Sequence, residues 1–324
     1  MTVRIGIVGA GGQATEHMRN LLEIDDAEIV GICDVVEARA RDIANEYGGR
    51  AYTSQKEMYA KEDIDAVYIC VPPFAHGEPE LLAAEVGVAV FVEKPVAVAL
   101  DLALEIKTAF DSAGLITSVG YQVRYAEAVA RAKSALEGKT IGMVLGQFMS
   151  GLPGPSWWRV LAESGGQFVE QTTHVFDLAR YLIGDVVKVS AATALRALGD
   201  VPNLDVPDVG SALVWFENGA IGTISNCCLF KGVGVPDPVG LRVLCSDLTI
   251  DVWDWLIVNT PERTEEFRPK RSGWAVVDEC FVRAVATNNQ ALVRSSYGDA
   301  VKTLAVTLAA NESWQTGKIV EVKF

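Results

Sequence analysis

The sequence predicts an α/β chain in two parts. A doubly wound parallel sheet comes first, then an α+β domain with an open, mainly antiparallel sheet. Two observations predict this order. Up to about residue 120, short apolar runs alternate with helical patterns, the rhythm of βαβ units in a parallel sheet. Beyond residue 184 the apolar runs follow one another, and Asn218-Gly219 between two of them is a hairpin turn, so neighbours there pair antiparallel. Six strands complete the first unit near residue 121, giving domains 1–121 and 122–324.

Composition narrows what the chain can do. Half of the 324 residues are hydrophobic and 22% are charged, enough for a large core. A formal net charge of −14 argues against nucleic acid or an anionic membrane as partner, since both require a basic patch. None of the six cysteines forms a C-x-x-C pair, so they read as free thiols in a reducing, cytoplasmic compartment. The amino terminus opens directly into a strand, so no signal peptide is expected. The uncharged stretch 140–158 contains four glycines and two prolines and is expected not to cross a membrane. The three histidines are scattered, so no metal site is expected.

The first strand, Val3–Val8, breaks into Gly9-Ala10-Gly11-Gly12-Gln13-Ala14 before a helical pattern. That is G-x-G-x-x-A between strand and helix. The first glycine permits a tight turn, the second lets the backbone approach a pyrophosphate, and small Ala14 lets helix and strand pack closely. A second strand, 28–33, ends at Asp34, 25 residues after Gly9. An aspartate there can accept both ribose hydroxyls of an adenosine and repels a 2′-phosphate. Val35 and Val36 follow with no cation, so NAD is favoured over NADP. Asp34 also reads as a helix N-cap.

A helix over Glu37–Tyr47 and a short segment near Ala51-Tyr52 lead to a strand at 66–71. It ends in Val71-Pro72-Pro73, a stiff loop, and His76 reads either as part of a site there or as the start of the next helix. The central strand, 88–92, ends in Glu93-Lys94-Pro95. Pro95 cannot continue a ladder and holds Lys94 extended, leaving a lysine at the carboxyl edge of the sheet, where open α/β folds bind ligands. A helix over Leu100–Ala113 and a strand at 115–120 close the unit. Arg124 follows as a fixed positive charge beyond the edge, or simply as a surface arginine.

In the second half, a helix at 126–137 and a strand at 142–149 precede a Gly/Pro loop ending in Trp157-Trp158-Arg159. These exposed tryptophans suit a sugar ring or nicotinamide; equally, they read as core residues. Helical periodicity from about Val169 to a stop at Gly184 puts Glu170 and His174 at i,i+4 on one face. Strands follow at 186–193, 209–216, 221–229, 239–244 and 248–258. Both alternating sets of 209–216 and of 248–258 are apolar, including Trp253 and Trp255, so this sheet needs a cover on each face. Helices supply one; a second subunit is expected on the other, in a homodimer or homotetramer. Helices at 274–287 and 299–314 and a strand at 319–323 end the chain.

The Gly9–Ala14 turn, Pro72-Pro73 with His76, Glu93-Lys94-Pro95, and Gly165-Gly166 leading to His174 and Asp177 together resemble the Gfo/Idh/MocA oxidoreductases. The resemblance extends over essentially the whole chain. It implies a Rossmann nucleotide-binding domain and a second domain with an open antiparallel sheet. It further implies oxidation or reduction of hydroxyl carbons of sugars, polyols and related compounds with NAD or NADP. Lys94 corresponds to the family's catalytic lysine, His174 to the histidine paired with it, and Glu170 falls where many members carry aspartate. Glutamate is one methylene longer, which weakens any inference of a true inositol dehydrogenase. The run Glu170-Gln171-Thr172-Thr173-His174 resembles a less characterised branch.

These readings assign Gly9, Gly11, Gly12, Gln13, Ala14, Asp34, Val71, Pro72, Pro73, His76, Glu93, Lys94 and Arg124 to the dinucleotide. Lys94, Arg124, Trp157, Trp158, Arg159, Glu170, Gln171 and His174 go to the substrate, with Lys94, His174 and Glu170 catalytic. Hydride transfer from a secondary alcohol requires a base within hydrogen-bond reach of the hydroxyl. His174 is assigned that proton and Lys94 the positioning and electrostatic support. Two other activities fit the same motifs: cleavage of a glycosidic bond with tightly held NAD and no net redox, or NAD sensing without catalysis.

Overall fold

The computed structural model describes residues 2–235 and 237–324. A first unit takes in the chain up to Ala97, then Asp101–Gln122 and Gly273–Ala300; a second takes Val98–Leu100, Val123–Ser272 and Val301–Phe324. Residues 273–300, assigned by sequence to the second domain, thus return to the first unit.

The first unit is built on six parallel strands: β1 (Val3–Val8), β2 (Ala27–Cys33), β3 (Arg50–Tyr52), β4 (Ala66–Ile69), β5 (Ala89–Val92) and β6 (Thr117–Val119). Their order is β3-β2-β1-β4-β5-β6, so chain progression reverses between β1 and β4. Every residue of β4 and β5 is buried, as a sheet covered on both faces demands. In open parallel sheets ligands bind outside the carboxyl ends of the strands at such a reversal, here those of β1 and β4. The returning segment has clear work in this unit. Phe281, on helix Gly273–Ala286, meets Tyr68 and Phe91 edge-on at 5.4 and 5.6 Å. Beyond that helix, Gln290 bonds both backbone groups of Thr117, and Ser295 pairs with Val119. The open edge of β6 is thereby closed against stray pairing.

The second unit carries nine strands: β7 (Ile141–Met149), β8 (Val186–Ala194), β9 (Val209–Phe216), β10 (Ile221–Cys227), β11 (Val239–Cys245), β12 (Thr249–Val252), β13 (Leu256–Asn259), β14 (Thr264–Phe267) and β15 (Val320–Glu321). Their order is β14-β13-β12-β11-β7-β10-β9-β8-β15, and β7 and β10 pair in parallel while the other described neighbours are antiparallel. One face is covered: Val129 and Ala132 of helix Glu127–Leu136 and Val175, Phe176 and Ala179 of helix Thr173–Ile183 share a core with Val144, Val214, Leu241 and Val243. The other face keeps Met143, Leu145, Leu213 and Ile221 between 36% and 41% exposed.

Two sequence expectations fail here, one at a chain reversal and one at a break in a helix. The single strand expected at 248–258 is two strands, β12 and β13, hinged at 253–255, where Trp253 N–H donates to Trp255 O at 2.9 Å. An apolar run without glycine or proline hides that turn. The helix expected from Val169 is likewise two, Gly166–Glu170 and Thr173–Ile183. Between them Thr172 N–H reaches back five residues to Gln167 O at 2.8 Å, a widened turn of π type, and Asn226 Nδ2 holds Thr172 Oγ1 at 2.8 Å. Glu170 and His174 therefore do not stand at i,i+4 on one continuous helix.

Candidate active site

The turn after β1 is shaped by a close approach. Gly9 has φ +88°, and a Cβ there would lie 2.5 Å from Cys70 O at the end of β4, so only glycine fits. Gly11 and Gly12 face open space, where a Cβ would meet nothing within 4 Å. Helix Gly12–Leu21 starts on Gly11 with no side-chain cap, so the amides of its first turn point into that space. Gln13 is exposed beside them and Ala14 is buried against the sheet. An uncapped helix start behind two bare glycines is a cradle that fits a pyrophosphate.

Asp34 stands at the end of β2 and is 6% exposed. One carboxylate oxygen accepts from Ala10 N–H at 2.9 Å and the other from Val36 N–H at 2.8 Å. Both also take Arg39 Nη1, at 3.1 and 3.2 Å. The expectation that no cation stands near Asp34 is corrected: one helical turn carries Arg39 back to it. Residues 35–38 separate the two in sequence, which is why adjacency did not reveal the pair.

Past β4, Pro73 begins a short 3-10 turn ending at Ala75, and buried His76 follows. His76 Nδ1 meets Glu80 Oε1 at 2.6 Å, while Glu80 Oε2 accepts from Gly77 N–H at 2.7 Å. This loop is braced through His76 Nδ1 and Glu80 onto the start of helix Glu78–Val86. Past β5, Glu93 is buried and Lys94 half-buried, and the Lys94–Pro95 peptide is cis. Glu93 Oε2 accepts from Lys94 N–H at 3.1 Å. Gly9, Asp34, Val71 and Lys94 thus all follow carboxyl ends of parallel strands at one edge.

In the second unit His174 is 8% exposed, and its ring stands edge-on to Trp253 with centroids 6.5 Å apart. Glu170 Oε2 accepts from Trp158 Nε1 at 2.7 Å. Trp158 is 1% exposed, in a small core with Leu198, Val206 and Cys228. It is therefore a core residue rather than an exposed platform. Trp157 packs partly buried on the same core, and Arg159 and Gln171 are half-buried.

Arg124 is 3% exposed and forks onto Asp177, Nε at 2.6 Å and Nη2 at 2.5 Å, with Tyr181 beneath the guanidinium at 5.0 Å. Thr303 Oγ1 donates to the same aspartate at 2.9 Å. Bidentate pairing of this kind fixes a guanidinium, so the surface reading of Arg124 fails. Sequence reading missed Arg39, which one helical turn returns to Asp34, and His17, whose partners are set by tertiary approach.

Comparison with known proteins bears on this arrangement. A family model described as an oxidoreductase family with an NAD-binding Rossmann fold matches residues 3–121, and one described as the GFO/IDH/MocA C-terminal domain matches residues 129–251. Myo-inositol 2-dehydrogenase of Thermotoga maritima is 32% identical over 228 residues, 69% of this chain and 68% of that protein. D-apiose dehydrogenase of Paraburkholderia graminis is 29% identical over 98% of this chain and 89% of its own. The crystal structure of the WlbA dehydrogenase from Bordetella pertussis, in complex with NADH and UDP-GlcNAcA, superimposes with a TM-score of 0.86 at 23% identity, covering 100% of both chains. Among the described residues no helix is long and apolar enough to cross a membrane.

Proposed function

Because the chain belongs to the Gfo/Idh/MocA family of oxidoreductases, we propose that it is an NAD-dependent dehydrogenase acting on a secondary hydroxyl or ketone of a sugar, polyol or related compound. One observation carries the reading: the Gly9 cradle, Asp34 and Lys94 lie at the carboxyl edge of one parallel sheet, beside its switch point. The relatives named above act on inositol and apiose, which supports a polyhydroxylated substrate.

The cradle of Gly11, Gly12 and the first turn of helix Gly12–Leu21 would hold the pyrophosphate, and Asp34 would take the adenosine ribose. When bound, the dinucleotide supplies hydride exchange at its nicotinamide. The protein's own task is the proton. His174 accepts it from the substrate hydroxyl, and Lys94 fixes and polarises the hydroxyl oxygen. Glu170, whose carboxylate engages Trp158, serves by holding the loop that bears Trp157 and Arg159. Arg124 fixes Asp177 and, through it, helix Thr173–Ile183 on which His174 sits.

The second unit's uncovered apolar face supports assembly into a homodimer or homotetramer. The six cysteines are free thiols, which fits the reducing cytoplasm.

The test is reduced-nicotinamide absorbance on the purified protein, with NAD or NADP and a panel of sugars and polyols that includes myo-inositol. Signal with NAD and one substrate class is expected. Release of free sugar from a glycoside without added cofactor would replace this reading with redox-neutral glycoside cleavage. His174→Ala with near-normal turnover, beside an inactive Lys94→Met, would reverse the two roles.

A further inference from the structure

Inside the first unit lies a buried charged cluster that the chemistry above does not use. His17, on the second turn of helix Gly12–Leu21, has no solvent exposure. Its Nδ1 lies 2.7 Å from Asp278 Oδ1 and its Nε2 lies 3.0 Å from Glu93 Oε1. With both acids ionised they only accept hydrogen bonds, and both ring nitrogens then carry protons for both bonds to form. The imidazole is then a cation between two anions. Burial alone would lower its pKa, but the charge and hydrogen bond of Asp278, followed by those of Glu93, outweigh burial and raise it to about 10.

Three aromatic rings pack around this cation. Phe91 stands edge-on to the ring at 4.7 Å, with Trp274 at 5.2 Å and Tyr68 at 5.3 Å. Asn20, one turn along the same helix, donates Nδ2 to Asp278 Oδ2 at 2.8 Å. Glu93 is pinned on its far side as well. A Cβ on Gly120 would lie 2.3 Å from Glu93 Oε1, so β6 is followed by glycine where that carboxylate passes. Glu93 Oε1 faces His17, and Oε2 takes the Lys94 backbone N–H at 3.1 Å.

We propose that His17 is a positioning residue for Lys94: it holds Glu93 in the one orientation whose second oxygen receives the Lys94 peptide, and so ties the lysine to the helix that begins at the pyrophosphate cradle. Three pieces of chain distant in sequence meet at one ring: the helix of the glycine turn, the end of β5, and helix Gly273–Ala286 through Asp278. A neutral imidazole could donate to only one carboxylate and would free the other to turn. The bearing of this strap on turnover rests on the reading of Lys94 as catalytic; the strap itself does not.

Two measurements on the full chain test it. In wild-type protein, proton–nitrogen spectra of the histidine rings should show both nitrogens of His17 protonated at about pH 8, where an ordinary histidine is neutral. A neutral tautomer would overturn the proposal. Lysines are then reductively methylated with carbon-13, and the Lys94 signal is identified by its loss in Lys94→Arg. In His17→Gln, whose amide donates from one nitrogen only, the Lys94 signal should titrate about half a pH unit or more from its wild-type position while the other lysines superimpose. An unmoved Lys94 signal in folded His17→Gln would show a purely structural histidine. Should His17→Gln fail to fold, Glu93→Gln, of equal volume, carries the same expectation and the same refutation. Turnover of Lys94→Met separates the two readings: full activity there removes the catalytic role of Lys94 and leaves the resonance result standing.

Discussion

The indole Nε1 of Trp158 donates to Glu170 Oε2 at 2.7 Å, from a ring that is 1% exposed. This bond gives a carboxylate expected at the substrate a partner inside the protein. It also accounts for the extra methylene of glutamate at this position, since aspartate would fall short of the indole.

Glu170→Asp and Glu170→Gln therefore separate two roles. Aspartate leaves a buried indole N–H unsatisfied, at a cost of about 1–3 kcal/mol. Glutamine keeps an acceptor at the same reach. Urea unfolding should show Glu170→Asp destabilised by that amount and Glu170→Gln close to wild type, with most turnover retained in Glu170→Gln. Loss of turnover in a fully stable Glu170→Gln would put the carboxylate to work on the substrate instead.

Cofactor choice turns on Asp34 and Arg39. The carboxylate repels a 2′-phosphate, and the arginine it holds at 3.1 Å is the cation that a phosphate would recruit. Asp34→Ser should raise kcat/KM for NADP relative to NAD by on the order of tenfold to a hundredfold, about 1.4 kcal/mol for each factor of ten. Adding Arg39→Ala to Asp34→Ser should erase most of that gain. A gain that survives without Arg39 would locate the phosphate elsewhere.

What the residues announce in advance follows from how local the cause is. Val3–Val8, Glu37–Tyr47 and Leu100–Ala113 were legible because each element is set by its own apolar period and its own breaker. The glycine turn and the lysine edge were legible for the same reason. Trp253-Asp254-Trp255 was not: its reversal sits inside an apolar run that reads as uninterrupted strand. Nor was the Gln171–Thr172 bulge, which depends on Asn226 from β10. Ion pairs were the least visible. His17 and Asp278 stand 261 residues apart, and Arg124 and Asp177 are 53 apart, so only the fold introduces them.

The His17 cluster makes stability depend on pH in the alkaline range. Its pKa rises from 6.5 to about 10 on folding, so the folded protein keeps a proton that the unfolded chain releases. The contribution is complete below about pH 6.5. It declines as pH climbs and is gone once pH passes the folded value of about 10. Urea midpoints measured across this window should fall for wild type. Asp278→Asn, which removes the strongest charge holding that proton, should start lower and fall less steeply. Parallel slopes for the two proteins would assign the alkaline loss to other groups.

The second unit's sheet leads to the last expectation, and its register gives the place. Trp215, Ile221, Met143 and Leu244 lie in one row across β9, β10, β7 and β11, with Ile221 and Met143 37% and 41% exposed. Leu213 and Leu145 flank Thr223 in the next row toward the other end, at 36% and 39% exposed. A flat apolar surface on rigid strands, backed by a fully packed opposite face, is a site where a second copy of the sheet can lie. Sedimentation should show wild type as a dimer or larger at micromolar concentration. Met143→Lys with Leu213→Lys buries charge in any such contact and should yield monomers that still fold, because neither side chain enters the covered core. Wild-type protein that sediments as a monomer would dismiss the sheet as an assembly surface. A double variant that stays assembled would move the interface to another face.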